Sequence, residues 1–442
     1  MLKTFKKGGI HPEESKLTAG KKIRVLPIPE MVHLPVIQHL GMPARPLVKK
    51  GDKVKTGQLI AEADGFVSAN VHSPVSGMVS KVDLMMDASS YRRMTISIQT
   101  EGDEWMVEID HTPQHKPDIN LQPEEILKKI AAAGIVGLGG ATFPTHVKLT
   151  IPRGRKAESV IINGVECEPF LTSDHALMLE KGPEIFTGIK ILMKVLGVDQ
   201  AFVGIEANKP DAIKLFRDLA MRHIGISIVP LRVKYPQGGE KQLIKAITGR
   251  EVPSGKLPID VGTVVVNVGT TFAIYEAVQK NKPLIDRVVT VTGKQLPNPG
   301  NFLIRIGTPV EKLIEAAGGI PQNTGKVLYG GPMMGKALPS TDIPAGKGCS
   351  GILAIPIDES RRRDMKVCIR CAKCVQACPM GLEPYLLMAM SERGYFDRME
   401  NERVMDCIEC GSCSYICPSD RPLLDYIRLG KSEVNRIIRS RK

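Results

Sequence analysis

Cys368-Ile369-Arg370-Cys371-Ala372-Lys373-Cys374-Val375-Gln376-Ala377-Cys378-Pro379 is answered by Cys407-Ile408-Glu409-Cys410-Gly411-Ser412-Cys413-Ser414-Tyr415-Ile416-Cys417-Pro418. Both stretches read C-x-x-C-x-x-C-x-x-x-C-P, the ligand spacing of a domain that carries two [4Fe-4S] clusters. Three thiolates two residues apart wrap one corner of a cubane. The loop is too short to reach around, so the fourth ligand comes from the other run. One cluster is therefore expected on Cys368, Cys371, Cys374 and Cys417, and the other on Cys407, Cys410, Cys413 and Cys378. Two structural zinc sites or disulfides are the alternatives, but zinc knuckles come as paired C-x-x-C units without the trailing proline. On this reading the chain moves single electrons.

Working outward, 442 residues are enough for about three domains. Lys3, Lys6 and Lys7 run into Gly8-Gly9 rather than an apolar stretch, so no export signal is expected. No apolar run reaches membrane-spanning length. The best candidate, 262–276, contains Asn267 and Gly269 and reads as a buried strand leading into a helix. Reduced cysteines then place the chain in the cytoplasm. The formal charge of +13 suits an anionic membrane face or an acidic electron carrier, with a plain solvated basic surface as the alternative. With 4% aromatic residues and no compact basic stripe, nucleic acid is not an expected partner. The tail 431–442 sets Arg436, Arg439, Arg441 and Lys442 against Glu433, which suits docking onto a membrane or an acidic protein.

The pattern predicts a multidomain α/β and α+β chain. Residues 1–112 hold short strands and closely spaced turns, at Gly51-Asp52, Gly57-Gln58 and Ser76-Gly77, as in a small barrel. In 113–284, Pro123 opens a helix and Gly134 closes it. Strand-like runs at 159–162, 201–203, 226–231 and 264–268 then alternate with helical patterns at 183–196, 210–222 and 240–248, which predicts a mostly parallel sheet. Residues 285–358 form a smaller unit with a strand at 288–293, a helix within 307–319 and a turn at Gly330-Gly331-Pro332. Residues 359–442 hold the cysteine runs and the basic tail, and 383–400 reads as one amphipathic helix joining the runs.

Gly137-Leu138-Gly139-Gly140-Ala141-Thr142-Phe143, with Lys148, is a weak signal alone, because it does not open a helix after a strand. In context it resembles the flavin loop of the NADH-oxidising subunit of respiratory Complex I. Asn163-Gly164-Val165-Glu166-Cys167-Glu168, Tyr235-Pro236-Gln237-Gly238-Gly239-Glu240 and Asn267-Val268-Gly269-Thr270 resemble that subunit's later motifs, in the same order. The resemblance implies FMN at the strand ends with NADH stacked on it. It implies that Gly137, Gly139, Gly140, Ala141 and Thr142 line the ring and that Phe143 stacks. Lys148 would neutralise charge, while Asn163, Asn267, Gly269 and Thr270 would hydrogen-bond the flavin. Glu166, Glu168, Tyr235, Gly238, Gly239 and Glu240 would complete the nucleotide site. Complex I has paired acids where this chain has Val165-Glu166 and Gly239-Glu240.

Phe5-Lys6-Lys7-Gly8-Gly9-Ile10-His11, Gln38-His39-Leu40-Gly41, Glu168-Pro169-Phe170-Leu171-Thr172-Ser173-Asp174-His175 and Cys407-Ile408-Glu409-Cys410-Gly411 extend the likeness. In this order the chain resembles the RnfC family of Rnf electron-transport complexes. The family implies a barrel-sandwich hybrid of biotinyl/lipoyl type, a Complex I-like flavin domain, a β-grasp (SLBB-like) module and a ferredoxin-like domain with two [4Fe-4S] clusters. It also implies a peripheral subunit on the cytoplasmic face of the cell membrane. Its partners would be an iron–sulfur subunit that meets ferredoxin and membrane subunits that move Na+ or H+. The turn Asp64-Gly65-Phe66 lacks the lysine of a true biotin or lipoyl carrier. A soluble cobalamin reductase, whose barrel-like module follows its flavin domain, and a flavin-free relay protein are the competing functions.

Other residues read as structural. Cys167 and Cys349 stand outside the runs, as small buried hydrophobes do. His111 and His115 flank Pro113 and are unsuited to sharing a metal. No nucleophile triad is evident.

Overall fold

The computed structural model describes residues 2–441. The flavin-like unit is built on a four-stranded parallel sheet in the order Ile226–Leu231, Ala201–Glu206, Ser159–Gly164, Thr263–Asn267. Its strands are nearly continuous apolar runs because both faces are covered. Val160, Ile162, Val264 and Val266 pack on one face with the helices Gly182–Leu196 and Val268–Lys280. Ile161 and Val265 pack on the other against Leu243, Ile244 and Ile247 of the helix Glu240–Thr248. In chain order the strands run 3-2-1-4, so the order reverses between Ser159–Gly164 and Thr263–Asn267. A ligand crevice opens at the carboxyl ends of strands flanking such a reversal.

The N-terminal barrel is two antiparallel layers. Met31–Pro35, Arg92–Gly102, Ser76–Met86 and Lys53–Val54 make one, and Arg45–Pro46, Leu59–Glu62 and Val71–His72 the other. Its core runs without a break into that of the flavin-like unit. The first strand of the expected barrel belongs elsewhere. Ile23–Val25 pairs in parallel with Gly300–Arg305, and the next residue, Leu26, is buried in the core of the β-grasp unit. That unit's sheet continues through Asp286–Thr292, Gly351–Pro356, Thr324–Tyr329 and Lys336–Ala337. Val310, Leu313 and Ile314 of the helix Val310–Ala316 fill its core.

The cysteine unit is helical. The single helix expected over 383–400 is two, Pro384–Glu392 and Phe396–Asn401. Gly394 sits between them at φ +70, a left-handed conformation that ends the first helix. The break lets Met399 turn onto Gly430 of the closing helix Leu423–Ser440. That helix takes up most of the basic tail. Lys431, Arg436 and Arg441 are paired with Glu409, with Glu433, and with Asp397 and Glu400. Three of the tail's cations are thus paired within the unit, Arg439 has no ion pair among the described residues, and Lys442 lies outside them.

Candidate functional site

The two cysteine runs fold alike because their spacing imposes the same turns. Arg370 and Ala372 are left-handed in the first, at φ +57 each, and Glu409 and Gly411 in the second, at φ +57 and +77. Gly381 and Asp420, three residues after the last cysteine of each run, are left-handed as well. Two of these six, Arg370 and Glu409, carry long side chains that disfavour this region. Alternating handedness turns successive N–H groups toward one concave side, where an anionic group is held.

Cys378, Cys407, Cys410 and Cys413 line one pocket, walled by Pro379, Leu387 and Ile427 among others. This is the cross-paired set expected from spacing. Burial pushes the thiol of Cys407 up to about 11 and that of Cys413 to about 12. Such thiols keep their protons until a metal displaces them. Backbone N–H groups of Leu382 and Glu409 donate to Cys378 Sγ and Cys407 Sγ, both at 3.4 Å. The donor set fits a [4Fe-4S] cluster. A single zinc at about 2.3 Å from each sulfur needs the sulfurs roughly 3.8 Å apart. Among the described residues, no three His, Cys, Asp or Glu side chains converge for one ion. In the other set, Cys374 and Cys417 both pack against the core of the cysteine unit, and Cys371 is exposed.

At the sheet ends, Asn163 and Asn267 are register partners on adjacent strands. Asn267 caps the helix Val268–Lys280. Its Oδ1 accepts from the N–H groups of Gly269 at 2.8 Å and Thr270 at 3.3 Å, and its Nδ2 donates to Asp174 Oδ2 at 2.7 Å. The glycine loop lies on this carboxamide. A Cβ at Gly139 would come within 2.6 Å of Asn267 Nδ2, so only glycine fits. Thr270 Oγ1 accepts from Leu138 N–H at 2.8 Å, and Gly137 N–H donates to the Phe143 carbonyl at 2.9 Å. Gly139, Gly140 and Ala141 are exposed, Thr142 and Phe143 half-buried, and nothing stands within 4 Å of where a Gly140 side chain would begin. Opposite, Lys148 Nζ is 2.5 Å from Glu240 Oε1 and donates to the Val265 carbonyl at 2.8 Å. Asn163 Nδ2 donates to the Gly238 carbonyl at 2.9 Å, and Glu240 opens a helix just after Gly239. An open glycine backbone, two carboxamides and a lysine round one crevice fit a flavin mononucleotide.

Not every residue from the Complex I-like motifs faces that crevice. Glu166 caps the helix Ser173–Glu180, accepting from the N–H groups of Asp174 at 2.8 Å and His175 at 3.1 Å. Glu168 Oε1 reaches the β-grasp unit, accepting from Met333 N–H at 2.6 Å and Met334 N–H at 3.0 Å. Tyr235 is buried, and its hydroxyl donates to the Cys410 carbonyl at 2.8 Å. Around it, Ile10, Ala377, Cys410, Met333 and Ile408 form an apolar seam between the crevice unit and the cysteine unit. The segment 5–10 runs through this seam. Gly9 N–H donates to the Ala377 carbonyl at 2.9 Å, and Ile10 exchanges backbone bonds with Tyr235 at 2.8 and 2.9 Å. A side chain at Gly8 would strike the Cys378 carbonyl at 2.4 Å.

Sequence reasoning missed three groups here. Asp174, quoted within a motif but given no role, sits beneath the glycine loop. Burial, then the nearby Glu166 carboxylate, raises its pKa to about 7. Lys16 Nζ donates to the carbonyls of Glu166, Glu168 and Leu171 at 2.7 to 2.9 Å, and Lys209 Nζ to that of Val165 at 2.8 Å. Only the motif around Asp174 carried a signal. Cys167 accepts from Gly238 N–H at 3.3 Å and burial raises its pKa, while Cys349 is pushed up to about 11 inside the β-grasp core. The barrel tip Asp64-Gly65-Phe66 is no swinging arm, because the Phe66 carbonyl lies 3.2 Å from His146 Nε2, beside the glycine loop.

Comparison with known proteins agrees with this anatomy. Residues 3–103 match the family described as RnfC barrel sandwich hybrid domain, and 130–276 the Nuo51 FMN-binding domain. Residues 288–337 match the SLBB domain and 360–418 the 4Fe-4S dicluster domain. An NAD+-reducing [NiFe]-hydrogenase crystal structure shares the fold at TM-score 0.51 and 18% identity, over 71% of this chain and 66% of that one. The chain is 46% identical to the C subunit of the proton-translocating ferredoxin:NAD(+) oxidoreductase complex of Clostridium ljungdahlii, over 98% of this chain and 94% of that one. It is 46% identical to the Na(+)-translocating counterpart of Acetobacterium woodii, over 98% and 97%. It is 44% identical to the C subunit of the ion-translocating oxidoreductase complex of Rhodobacter capsulatus, over 97% and 83%. Full-length identity at this level, with the same four domains in the same order, means that the chain belongs to the RnfC family of ion-translocating ferredoxin:NAD(+) oxidoreductase complexes.

Proposed function

We propose that this chain exchanges electrons between NAD(H) and two [4Fe-4S] clusters through FMN, as a peripheral subunit of a membrane-bound Rnf complex. In that complex an iron–sulfur subunit meets ferredoxin, and membrane subunits move Na+ or H+, with this chain on the cytoplasmic face. Among the described residues no helix is long and apolar enough to cross a membrane. The barrel precedes the flavin-like unit, which favours this reading over a cobalamin reductase.

The observation that carries the proposal is the direct bond from Tyr235 of the crevice unit to Cys410 of the cysteine unit. It brings the two redox sites into one packed body. FMN, when bound, takes up an electron pair and releases single electrons. The protein's part is to bind and orient. The exposed backbone 139–141 offers a flat rest, Lys148 places a cation beside it, and Glu240 holds that lysine and can accept from a ribose hydroxyl. Asn163 and Asn267 place carboxamides at the crevice. The Asp174 carboxyl can hold or give up a proton close to neutral pH.

The test is an anaerobic NADH titration of the full-length, cluster-loaded protein with FMN, followed by visible absorbance. Bleaching of the flavin band followed by the cluster bands is expected. Clusters that respond to dithionite but never to NADH, with no flavin retained, would make the chain a relay and put the nucleotide site on another protein of the complex.

A further inference from the structure

The two cysteine sets differ in surroundings. In one set Cys378, Cys410 and Cys413 are buried and Cys407 half-buried, whereas in the other none is buried: Cys368, Cys374 and Cys417 are half-buried and Cys371 is exposed. The loop that carries Cys368 and Cys371 has no helix or strand from Arg361 to Ala372. Met365, Val367 and Ile369 on it are 53%, 83% and 68% exposed. Three large apolar side chains, each more than half exposed at alternate positions of one short loop, are a local concentration rather than the scattered background of a soluble surface. Their neighbours are basic. Arg362 is paired with Asp425, and Arg363 stands 4.0 Å from Asp420. Lys366, Arg370 and Lys373 have no ion-pair partner among the described residues and are exposed. Asp364 is the loop's own acid, Asp425 and Asp420 are taken by Arg362 and Arg363, and Glu383 accepts from the Tyr385 hydroxyl at 2.8 Å. Lys431, Arg436 and Arg441 of the tail are paired within the unit, whereas Lys366, Arg370 and Lys373 stand unpaired beside the cysteines.

We propose that residues 361–373 are the docking surface for an acidic one-electron redox protein, with Met365, Val367 and Ile369 as its apolar centre and Lys366, Arg370 and Lys373 as its steering rim. This rests on the electron-transfer function proposed above. Transient electron-transfer contacts bury little area, so an apolar centre within a charged rim is their workable form. The rim raises the encounter rate, and the small dry centre lets the pair separate again. Such a partner would sit over the exposed cysteine set, whereas Tyr235 contacts the buried one.

A small acidic two-[4Fe-4S] ferredoxin stands in for that partner as the probe, and its binding to the full-length loaded protein is measured by thermophoresis at low and high salt. Lys366→Glu with Arg370→Glu and Lys373→Glu should weaken low-salt binding by roughly tenfold or more and flatten the salt dependence. Ile369→Ser, which leaves the charge alone, should weaken it with the salt slope unchanged. Lys49→Glu with Lys50→Glu and Lys53→Glu, on the barrel, makes the same charge change elsewhere and should have little effect. Equal loss from the barrel variant, or binding indifferent to salt, would overturn the proposal. So would loss of binding to anionic lipid vesicles with ferredoxin binding intact, which would make the loop a membrane contact. Iron content and NADH bleaching of the flavin are recorded for each variant. If bleaching fails in every form while the binding pattern holds, the NADH reading is wrong and the docking surface stands.

Discussion

Tyr235 and Cys410 are joined by a 2.8 Å hydrogen bond from the phenol to the backbone carbonyl, across the seam between the crevice unit and the cysteine unit. Both residues are buried, and Tyr235 is pinned on its backbone by Ile10. The cavity ringed by Cys378, Cys407, Cys410 and Cys413 is therefore held against the flavin-like unit by a side chain that the sequence places in a nucleotide motif.

Tyr235→Phe keeps the packing and leaves the Cys410 carbonyl without its partner in an apolar setting. A stability loss of about 1–3 kcal/mol follows from that orphaned group. Denaturant unfolding should read this loss, and electron paramagnetic resonance should show one cluster signal altered and the other unchanged. Two unaltered signals with full stability would mean the bond is incidental.

Cys378→Ala should remove the cluster whose other ligands are Cys407, Cys410 and Cys413. Cys417→Ala should remove the one held by Cys368, Cys371 and Cys374. Iron content falling by about half in each variant, with different residual spectra, is the expected result. The reverse assignment of the two residual spectra would break the cross-pairing.

Asn267→Ala loses the cap of the helix Val268–Lys280, the donor to Asp174 and the floor under Gly139. The cap alone is worth about 1 kcal/mol. Flavin retained after gel filtration should fall sharply. Asn267→Asp keeps the capping oxygen but sets a second carboxylate beside Asp174. Its thermal midpoint should therefore drop more above neutral pH than below it.

Lys347 is fully buried and donates to the carbonyls of Asn70 at 2.7 Å and Gly134 at 2.8 Å, joining the barrel, the flavin-like unit and the β-grasp unit. Burial lowers its pKa from 10.5 to about 7. A neutral amine has two hydrogens, one for each carbonyl. Because the folded pKa is depressed, the stability this site contributes is complete above the ordinary lysine pKa and is lost as pH falls through about 7. The stability difference between the wild type and Lys347→Met should therefore grow from pH 7 toward pH 10, by up to about 1.4 kcal/mol per unit. Urea unfolding of both proteins across that range checks it, and a difference independent of pH would contradict it.

Much of the site was legible in the chain because its determinants are local. Cysteine spacing sets which turns are available, and Arg370 and Glu409 take up matching left-handed conformations in the two runs. Alternating strands and helices announced the parallel sheet, and Asn267 followed by Gly269 and Thr270 announced polar groups at its edge. The helix expected over 383–400 failed at Gly394, where a contact distant in sequence, Met399 on Gly430, favours the break. Ile23–Val25 went to the β-grasp sheet because Leu26 is buried there.

The amino-acid sequence by itself determined the four units, their order, the cluster-binding runs and the motif that lines the crevice, since each is written in neighbouring residues. Only the tertiary structure decided which surfaces meet. It turned Tyr235 toward Cys410, set Asp174 under the glycine loop, threaded Gly8 past Cys378 and left Val367 and Ile369 in solvent. These outcomes depend on packing and desolvation between segments up to hundreds of residues apart, and no local pattern encodes which buried partner a side chain will find.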